Sequence, residues 1–411
     1  MALTPEVVST RSAPEKYVHT MAACVLGWML DGFDFFVVVF LVDNLAGNFH
    51  VSKADIVLTL TATLAMRPVG AFLFGLLADR YGRRTALMAN VIYYSVIEML
   101  CGFAPSFTTF IVLRALFGIG MGGEWGVGAS LAMETAPRRL RGLLSGVLQG
   151  SYCVGYILAA LAARFILPAW GWRAMFWAGA IPALLAIYIR VGVPESKAWL
   201  QHRAPDTRAI LRTVARNWKS FLFLVLTMTL LMFLSHGTQD LYPDFLKSAH
   251  HIHADTVAEI AIFYNVGAVL GSILFGHLSE WLGRRHTMIC AMGLSLSVIP
   301  FWAFGQSTTA LVAGAFLMQA GVQGTWGIIP AYLNEISPDS VRGLLPGLAY
   351  HLGILFASPT NTIEYALRDR VGYQWALGGF EAVVIVAGAI LLAFGKENLG
   401  KDFLAPAEPS T

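Results

Sequence analysis

Two aspartates, Asp31 and Asp34, stand three residues apart within the apolar stretch GWMLDGFDFF. A spacing of three places both carboxylates on one flank of a helix. Two neighbouring carboxylates in a surrounding of low dielectric constant cannot both ionise cheaply, which is the chemistry of a proton carrier. The pair is therefore a candidate proton-coupling site. The alternative is that a basic partner simply neutralises one of the two acids.

Two arginines also lie within apolar stretches, Arg67 in TLAMRPVG and Arg114 further along the chain. A guanidinium stays charged and presents a planar fork that fits a carboxylate. These side chains therefore predict ion pairs with Asp31, Asp34 and Glu98, a binding place for an anionic substrate, or both in turn. We expect Arg67 to bind the substrate, leave Arg114 open between ligand and ion pair, and favour a structural role for Glu98.

Further polar residues are expected at membrane depth, where ionisable side chains are costly and usually functional. Glu124 lies in the glycine-rich run GMGGEW and is a second candidate proton site. His236 and Asp240 are four residues apart in SHGTQD, so they share one helix face and form either a proton relay or a local pair. Gln149 and Tyr152 could line a cavity, and Gln323 and Asn361 could hydrogen-bond a substrate carboxylate or hydroxyl, or instead a neighbouring helix.

Membrane helices are predicted to position these residues. Of the 411 residues, 56% are hydrophobic and only 13% are charged, against about 25% charged in a soluble domain. A transmembrane helix needs about 20 apolar residues. The twelve predicted spans are 20–42, 55–78, 85–104, 107–133, 142–165, 172–193, 219–245, 256–279, 287–305, 309–335, 344–365 and 373–394. The net charge of +3 gives no argument for nucleic-acid binding.

Lysine and arginine fall mostly in the connections on one side of the predicted spans. The positive-inside rule then places both termini in the cytoplasm and the chain in the cytoplasmic membrane as a multi-pass protein. The residues before Arg11 contain no apolar core, so no signal peptide is expected. The longest polar stretch predicts a six-helix bundle at 1–193, a cytoplasmic loop at 194–218 and a second six-helix bundle at 219–411.

An internal repeat relates the two halves at a constant offset of 201 residues. GLLADRYGRR begins at Gly75, and GHLSEWLGRR begins at Gly276. The same offset separates Trp125 from Trp326, Glu134 from Glu335, Pro137 from Pro338, Arg141 from Arg342, Gly142 from Gly343 and Gly171 from Gly372. Such a duplication predicts two bundles of the same orientation with a cavity on the pseudo-twofold axis between them. The pattern indicates transport by alternating access.

The loop Gly75–Arg84 resembles the signature loop between the second and third helices of the major facilitator superfamily, and a degenerate copy follows in the second half. The resemblance implies an all-α membrane protein with twelve transmembrane helices in two pseudo-twofold-related six-helix bundles. In that family the acid of the loop caps a helix of the opposite half, where the helix dipole favours an anion. Asp79 and Glu280 would then cap the helices that begin near Gly343 and Gly142.

The same resemblance implies a gate at the cytoplasmic end. Its expected residues are Asp79, Arg80, Arg83, Arg84, Glu134, Arg141, Glu280, Arg284, Arg285, Glu335 and Arg342. Glu134 and Glu335 can pair with the loop arginines when this end is shut. Because Trp281 replaces Arg80 in the second copy, the gate should be asymmetric. The alternative is a positively charged anchor without a gating role.

The string SHGTQD resembles the helix 7 motif N-x-x-S/T-H-x-S/T-Q-D-x-x-x-T of lactate/pyruvate:proton symporters, which belong to the sialate:proton symporter family of the same superfamily. LDGFDFF and GMGGEW are similar to that family as well. The resemblance implies substrate recognition by Gln239 and Asp240 and proton coupling through His236. Met232 and Asp244 depart from the Asn and Thr of the motif.

These observations predict a secondary transporter that carries a small organic anion, such as lactate or pyruvate, into the cytoplasm together with a proton. The alternatives are a proton symporter for sialic, aromatic or other sugar acids, and a non-transporting sensor on the same fold. No GxSxG, HExxH, Walker A or metal-ligand spacing occurs, so neither an enzyme nor a cofactor or metal is expected. The expected partners are a small carboxylate, the proton and the lipid bilayer, with the monomer as the functional unit.

Overall fold

The computed structural model describes residues 15–179 and 181–405, and these residues contain helices but no strands. The α-helices are α1 (Glu15–Phe40), α2 (Val42–Phe49), α3 (Lys53–Tyr81), α4 (Arg83–Cys101), α5 (Phe107–Thr135), α6 (Arg141–Ala178), α7 (Pro182–Gly192), α8 (Lys197–His202), α9 (Thr207–Arg216), α10 (Trp218–Gln239), α11 (Tyr242–Ser248), α12 (Ala254–Leu282), α13 (Arg284–Trp302), α14 (Thr308–Ile336), α15 (Leu345–Ala357), α16 (Thr360–Val371) and α17 (Tyr373–Ala393). Short 3₁₀ turns at Arg138–Leu140 and Asp339–Val341 precede α6 and α15. The residues before Arg11, which were not expected to form a signal peptide, lie outside the described residues.

Twelve membrane spans in two bundles of six are built from these helices. The first bundle contains α1, α3, α4, α5 and the two parts of α6, the second of which continues into α7; the second bundle contains α10, α12, α13, α14, α15 with α16, and α17. Within the described residues, seven segments are long and apolar enough to cross a membrane by length and composition alone. The remaining spans are richer in polar residues or are interrupted. The predicted all-α membrane fold is confirmed.

Glycines with a positive φ recur at the repeat offset. Gly82 and Gly283 follow the second and eighth spans with φ of 111° and 89°. Gly171 and Gly372 follow the fifth and eleventh spans with φ of 74° and 87°. A residue with a Cβ rarely adopts these angles. The repeat read from the sequence is therefore also a repeat of backbone shape, in which glycine is required at the same turns of both halves.

Three predicted spans are interrupted rather than continuous. The sixth restarts at α7, the seventh continues as α11 after α10, and the eleventh is divided between α15 and α16. A proline stands at each restart, namely Pro182, Pro243 and Pro359. Proline lacks an N–H group and disfavours helical geometry in the residue before it. The interruption after α10 leaves Asp240, the last residue of the string SHGTQD, at a helix end.

Small residues bring α5 into close contact with α3. A Cβ on Gly122 would lie 2.7 Å from the carbonyl carbon of Arg67, and a Cβ on Gly118 would lie 2.9 Å from that of Thr63. Only glycine fits at such distances, which is typical of close helix contacts in membranes. The glycine-rich segment of α5 therefore fixes the position of Arg67.

Candidate transport chamber and gate

The end of the molecule that carries both copies of the repeated loop, Gly75–Arg84 and Gly276–Arg285, is called the basic end. Here Asp79 on α3 accepts hydrogen bonds from the backbone N–H groups of Gly343 at 2.8 Å and Leu344 at 3.0 Å. These residues directly precede α15, and the N–H groups at a helix start lack helical partners and favour an anion. Asp79 of the first half therefore holds the start of the eleventh span in the second half.

The second loop makes the mirrored contact. Glu280 on α12 accepts a hydrogen bond from the backbone N–H of Gly142 at the start of α6. The two copies differ at the next residue. Arg80 donates to the carbonyl oxygen of Pro205 at 2.6 Å, whereas Trp281 is 69% exposed. The contacts of the two loops are therefore asymmetric.

Buried ion pairs join the two halves at the basic end. Arg141 of the first half lies 2.9 Å from Glu335 of the second, and Arg342 of the second half approaches Glu134 of the first to 3.8 Å. All four side chains are almost fully buried. Because the partners come from different halves, these pairs require the halves to be together. The basic end is shut in this structure.

Two loop arginines bind the same acids from within their own halves. Arg83 lies 3.2 Å from Glu134, and Arg284 lies 3.0 Å from Glu335. Each of these acids is therefore shared between an arginine of its own half and one of the other half. When the basic end opens, each acid can lose its contact with the arginine of the other half and keep its contact with the arginine of its own half.

The other two loop arginines make different contacts. The backbone N–H of Arg84 donates to Glu195 at 3.2 Å, and that of Arg285 donates to Glu397 at 2.9 Å. The guanidinium of Arg285 donates to two carbonyl oxygens at the end of α17, at 3.0 and 2.7 Å. Among the described residues, Arg285 forms no ion pair with a gate acid, because its guanidinium bonds these carbonyl oxygens instead.

The backbones of α5 and α15 are in direct contact at Gly126 and Gly347. A Cβ on Gly126 would lie 2.6 Å from the Cα of Gly347, whereas the nearest neighbour of a Cβ on Gly128 would be 3.8 Å away. We expect Gly126→Ala to destabilise the shut state by about 1–3 kcal/mol, because the added methyl group collides with backbone. Gly128→Ala adds the same methyl group and should leave closure unchanged.

Spin labels at exposed positions of the two halves measure this closure. Cysteines introduced at Arg139 and His286, in a background without native cysteines, would carry the labels. The distance between them should lengthen in Gly126→Ala and match the parent protein in Gly128→Ala. An unchanged distance in both variants would contradict the prediction.

Arg67 lies in a cluster of charged and aromatic side chains from both halves, which we call the chamber. The residue is 4% exposed, and its Nε and Nη2 have no hydrogen-bond partner among the described residues. Its charge acts on Asp31 and Tyr152 of the first half and on Tyr350 and His351 of the second. Arg67 therefore stands where the halves meet, beside an acid and two tyrosines, with two nitrogen atoms that have no hydrogen-bond partner among the described residues.

Aromatic rings from both halves form the walls around Arg67. Trp28 stacks on Tyr152 with ring centroids 4.8 Å apart, and Trp125 of the first half stacks on Tyr350 of the second at 4.1 Å. Nε1 of Trp125 donates to Oε1 of Gln149 at 3.2 Å, which fixes both side chains. Stacked rings offer flat, apolar faces. The chamber combines such faces with one cation.

His236 and Asp240 face the chamber from the end of α10. Nδ1 of His236 lies 3.1 Å from Oδ2 of Asp240, which also accepts a hydrogen bond from Asn361 at 3.1 Å. The side chains of His236 and Asp240 are 41% and 36% exposed although protein surrounds them, and the charge of Arg67 acts on His236. Solvent therefore reaches the chamber at His236 and Asp240.

The other polar residues expected to line the cavity differ in their contacts. Gln239 donates to Oε1 of Gln319 at 2.7 Å, and Gln319 donates to Oγ1 of Thr238 at 3.1 Å. Gln323 is half-buried one turn further along α14. Gln239 is thus tied to α14 by an interhelical hydrogen bond, and its role as a substrate ligand stays a prediction.

The two aspartates of α1 lie in different surroundings. Both are fully buried, and their carboxylate oxygens accept no hydrogen bond among the described residues. The charges of Glu98 and Arg114 act on both aspartates, whereas that of Arg67 acts on Asp31 alone of the two. An ionised carboxylate without a donor is costly to bury. Asp31 belongs to the chamber, and Asp34 belongs to a cluster behind it.

Glu124 is enclosed between α1, α4 and α5. Its Oε2 accepts a hydrogen bond from Asn90 at 3.3 Å, and its Oε1 points at the backbone of Gly27. A small void beside it is bounded by Cys24 and Trp28 among others. Glu124 is buried, and its role as a proton site stays a prediction.

Arg114 forms a fully buried ion pair with Glu98, with Nη1 and Oε2 2.7 Å apart. Its guanidinium also packs over the ring of Phe117 at 4.3 Å. The structure therefore favours the ion pair over the ligand role for Arg114. It does not bring this arginine to the chamber, because the contact between α4 and α5 holds it behind Asp34.

The Glu98–Arg114 pair is expected to stabilise the fold without binding substrate. Glu98→Ala should lower the free energy of unfolding by about 3–5 kcal/mol, because it leaves a buried cation unpaired. The double variant Glu98→Leu/Arg114→Met should recover most of that loss. Thermal unfolding of the purified protein in detergent measures both effects. Equal stability of Glu98→Ala and the parent would contradict the prediction.

The sequence prediction omits several buried residues in or near the site. Glu364 on α16 and Glu381 on α17 are fully buried. The sequence could have marked both as candidate sites, because each is an acid inside a predicted span, as Asp31 is. Trp28 and Tyr350 are also omitted, and nothing in the sequence marks them because aromatic residues make up 12% of the chain.

Two duplicated six-helix halves, shut at one end around a charged chamber, define a membrane transporter. The chain belongs to the major facilitator superfamily. The family model described as "Major Facilitator Superfamily" matches residues 24–239, and the model described as "Sugar (and other) transporter" matches residues 235–398. The predicted superfamily membership is confirmed, as is the expectation that the protein is not an enzyme.

Known relatives are transporters as well. The chain is 31% identical over 412 residues to the probable 4-methylmuconolactone transporter of Cupriavidus pinatubonensis, covering 95% of each chain. It is 28% identical over 386 residues to the sialic acid transporter NanX of Escherichia coli, covering 92% of this chain and 93% of the relative. The solved structure of the proton:xylose symporter XylE superposes with a TM-score of 0.76 at 19% identity, covering 95% and 98% of the two chains. This last likeness supports the fold alone.

Proposed function

We propose that this protein is a secondary transporter that moves an organic acid anion together with a proton across the cytoplasmic membrane. The observation that carries the proposal is Arg67, whose Nε and Nη2 have no partner among the described residues and whose charge acts on Asp31. A guanidinium in such a place suits a carboxylate ligand. The lysine and arginine bias puts the basic end in the cytoplasm, so the chamber faces outward.

The walls of the chamber favour a planar carboxylate as the substrate. The two stacked pairs, Trp28 with Tyr152 and Trp125 with Tyr350, place aromatic rings around Arg67, and an aromatic or conjugated acid bound there would have these rings as neighbours. Lactate and pyruvate are too small to cover much of these rings. The relatives described above are named for a muconolactone and a sialic acid, both larger than lactate. Lactate and pyruvate remain the alternative substrates.

Asp31 is the acid best placed to couple the proton to the anion. Protonation of Asp31 would remove the negative charge that acts on Arg67, and the arginine could then bind the incoming carboxylate. His236 and Asp240, which solvent reaches, would relay the proton from outside. The neutralised charges would allow the halves to rock, and the higher internal pH would remove the proton and release the anion. Asp34 and Glu124 lie deeper and are further candidates.

Uptake into proteoliposomes tests this function. A labelled dihydroxybenzoate, lactate and sialic acid would be offered with the outside acidic, with protein-free liposomes to subtract passive entry. We expect the aromatic acid to accumulate and to leak out when a protonophore collapses the gradient. Uptake that ignores the pH gradient would reject proton coupling. A higher kcat/KM for lactate would favour the monocarboxylate alternative, and no uptake at all would favour a sensor.

A further inference from the structure

Two glutamates of the second half lie outside the chamber just described. Glu364 on α16 and Glu381 on α17 are both fully buried. None of their four carboxylate oxygens has a hydrogen-bond partner among the described residues. The repeat position of Glu364 in the first half is Ala163, so this pair is not a duplicated structural element.

The two carboxyl groups converge on one point of α10. A Cβ on Gly237 would lie 3.0 Å from Oε1 of Glu364 and still closer to Oε1 of Glu381. Glycine at this position therefore leaves the space that the carboxyl groups occupy. Gly237 directly follows His236 and stands three residues before Asp240, so the pair adjoins the solvent-accessible end of α10.

The charges around this pair are mainly negative. On α10 the facing groups are His236 and Asp240, and the charge of Asp240 acts on Glu364 while that of Glu364 acts on Glu381. Arg368, one turn beyond Glu364 on α16, is turned to the surface, where it pairs with Asp369 at 3.2 Å.

The helix α13, which packs against α17, carries its charged side chains Arg284, Arg285 and His286 at the basic end, with Cys290 as its other titratable group. The neighbouring α15 contributes His351. No cation therefore neutralises the pair within the described residues. Two adjacent buried carboxylates without a donor repel each other, and a proton between them supplies both a neutral group and a hydrogen bond.

We propose that Glu364 and Glu381 form a second proton-binding site, which fills from the chamber through His236 and Asp240. The proton forms an O–H bond with one carboxylate oxygen and is shared with an oxygen of the other. This inference rests on the proposed symport and adds a second proton to each transported anion.

Single variants Glu364→Gln and Glu381→Gln test the site, with Glu259→Gln at the exposed start of α12 as the matched control. The number of protons per anion is read from the pH gradient at which net flux in proteoliposomes reverses. It should fall by one in both variants, which reduces accumulation against one pH unit about tenfold. Exchange of labelled for unlabelled substrate, which needs no net proton movement, should stay within about twofold of the parent. Unchanged stoichiometry in both variants would overturn the proposal.

Infrared spectroscopy separates failure of this site from failure of the proposed function. The parent should display a protonated carboxyl stretching band at neutral pH that weakens in Glu364→Gln/Glu381→Gln and persists in Glu259→Gln. This readout needs no substrate. A band that is identical in parent and double variant would overturn the second site even if symport is found. A parent protein that ignores the pH gradient would reject the proposed function instead.

The segment Lys396–Ala405, which follows α17 and which we call the strap, contacts both halves of the protein. Phe403 is 2% exposed and lies between two guanidinium groups, 4.0 Å from that of Arg141 and 3.9 Å from that of Arg342. These arginines belong to different halves. A ring that stacks on both at once links the halves through cation–π contacts.

Polar contacts hold the strap in place on both halves. Asp402 pairs with Arg138 of the first half, and this contact holds the pKa of Asp402 below its usual range. Lys401 pairs with Asp339 of the second half at 3.0 Å. Asn398 donates to the carbonyl oxygen of Glu335 at 3.0 Å. The strap therefore spans the gate while the basic end is shut.

We infer that the strap stabilises the shut basic end and so controls how often the transporter opens toward that side. Phe403→Ala should raise the population with an open basic end about fivefold, read from spin labels at positions 139 and 286. Leu404→Ala removes an exposed neighbour and is the matched control. Phe403→Leu, which keeps the apolar volume but lacks an aromatic face, should behave like Phe403→Ala. Equal distances in Phe403→Ala and Leu404→Ala would overturn the inference.

Discussion

Arg67→Lys is expected to lower the affinity for the organic acid about 100-fold while the protein remains folded. The substitution keeps the positive charge but replaces a planar fork by a single ammonium group. Arg67 reaches the chamber with Nε and Nη2 unpartnered, so the fork itself is what a carboxylate would contact. Loss of one or two charge-assisted hydrogen bonds, each worth about 1.5–3 kcal/mol, accounts for the expected change.

Arg114→Lys is the matched control for that variant. Arg114 is the other arginine buried at membrane depth in the first half, but it is paired with Glu98 rather than facing the chamber. Isothermal titration of the purified proteins measures both affinities, and thermal unfolding confirms that each variant is folded. Arg114→Lys should bind as the parent does. A parent-like affinity in Arg67→Lys, or a greater loss in Arg114→Lys, would show that the anion binds elsewhere.

The fold could be predicted from the sequence because its causes are distributed along the chain. Apolar runs, the repeat offset and the two signature loops each report on many residues at once. The breaks at Pro182, Pro243 and Pro359 escape an average over twenty residues, since one proline changes the mean hydropathy very little but ends a helix. The bounds of the sixth, seventh and eleventh spans therefore needed the structure.

The site could be predicted only in part, because residue type does not give a partner. Arg67 and Arg114 look alike in sequence, yet the packing of α4 on α5 pairs Arg114 with Glu98 and leaves Arg67 in the chamber. Asp31 and Asp34 likewise differ, since the charge of Arg67 acts on Asp31 alone of the two. These outcomes depend on helix registers, which a single sequence does not specify.

The hydrogen bonds of Asp79 are expected to hold the basic end shut. Asp79 accepts three hydrogen bonds, from Arg83 at 2.7 Å and from the backbone N–H groups of Gly343 and Leu344 at 2.8 and 3.0 Å. An asparagine can accept through only one side-chain oxygen, and its NH₂ group would face donors. Asp79→Asn also leaves the buried Arg83 with Glu134 as its remaining acid.

We therefore expect Asp79→Asn to shift the protein to a state with the basic end open, at a cost to the shut state of about 3–5 kcal/mol. Glu280→Gln is the matched control from the second half. Its effect should be smaller, because Arg284 keeps two hydrogen bonds to Glu335, at 3.0 and 3.2 Å, when Glu280 is neutralised. Spin-label distances at positions 139 and 286 should lengthen strongly in Asp79→Asn and slightly in Glu280→Gln. Equal shifts would mean that the two loops contribute alike, and the asymmetry seen in their contacts would then have no consequence for gating.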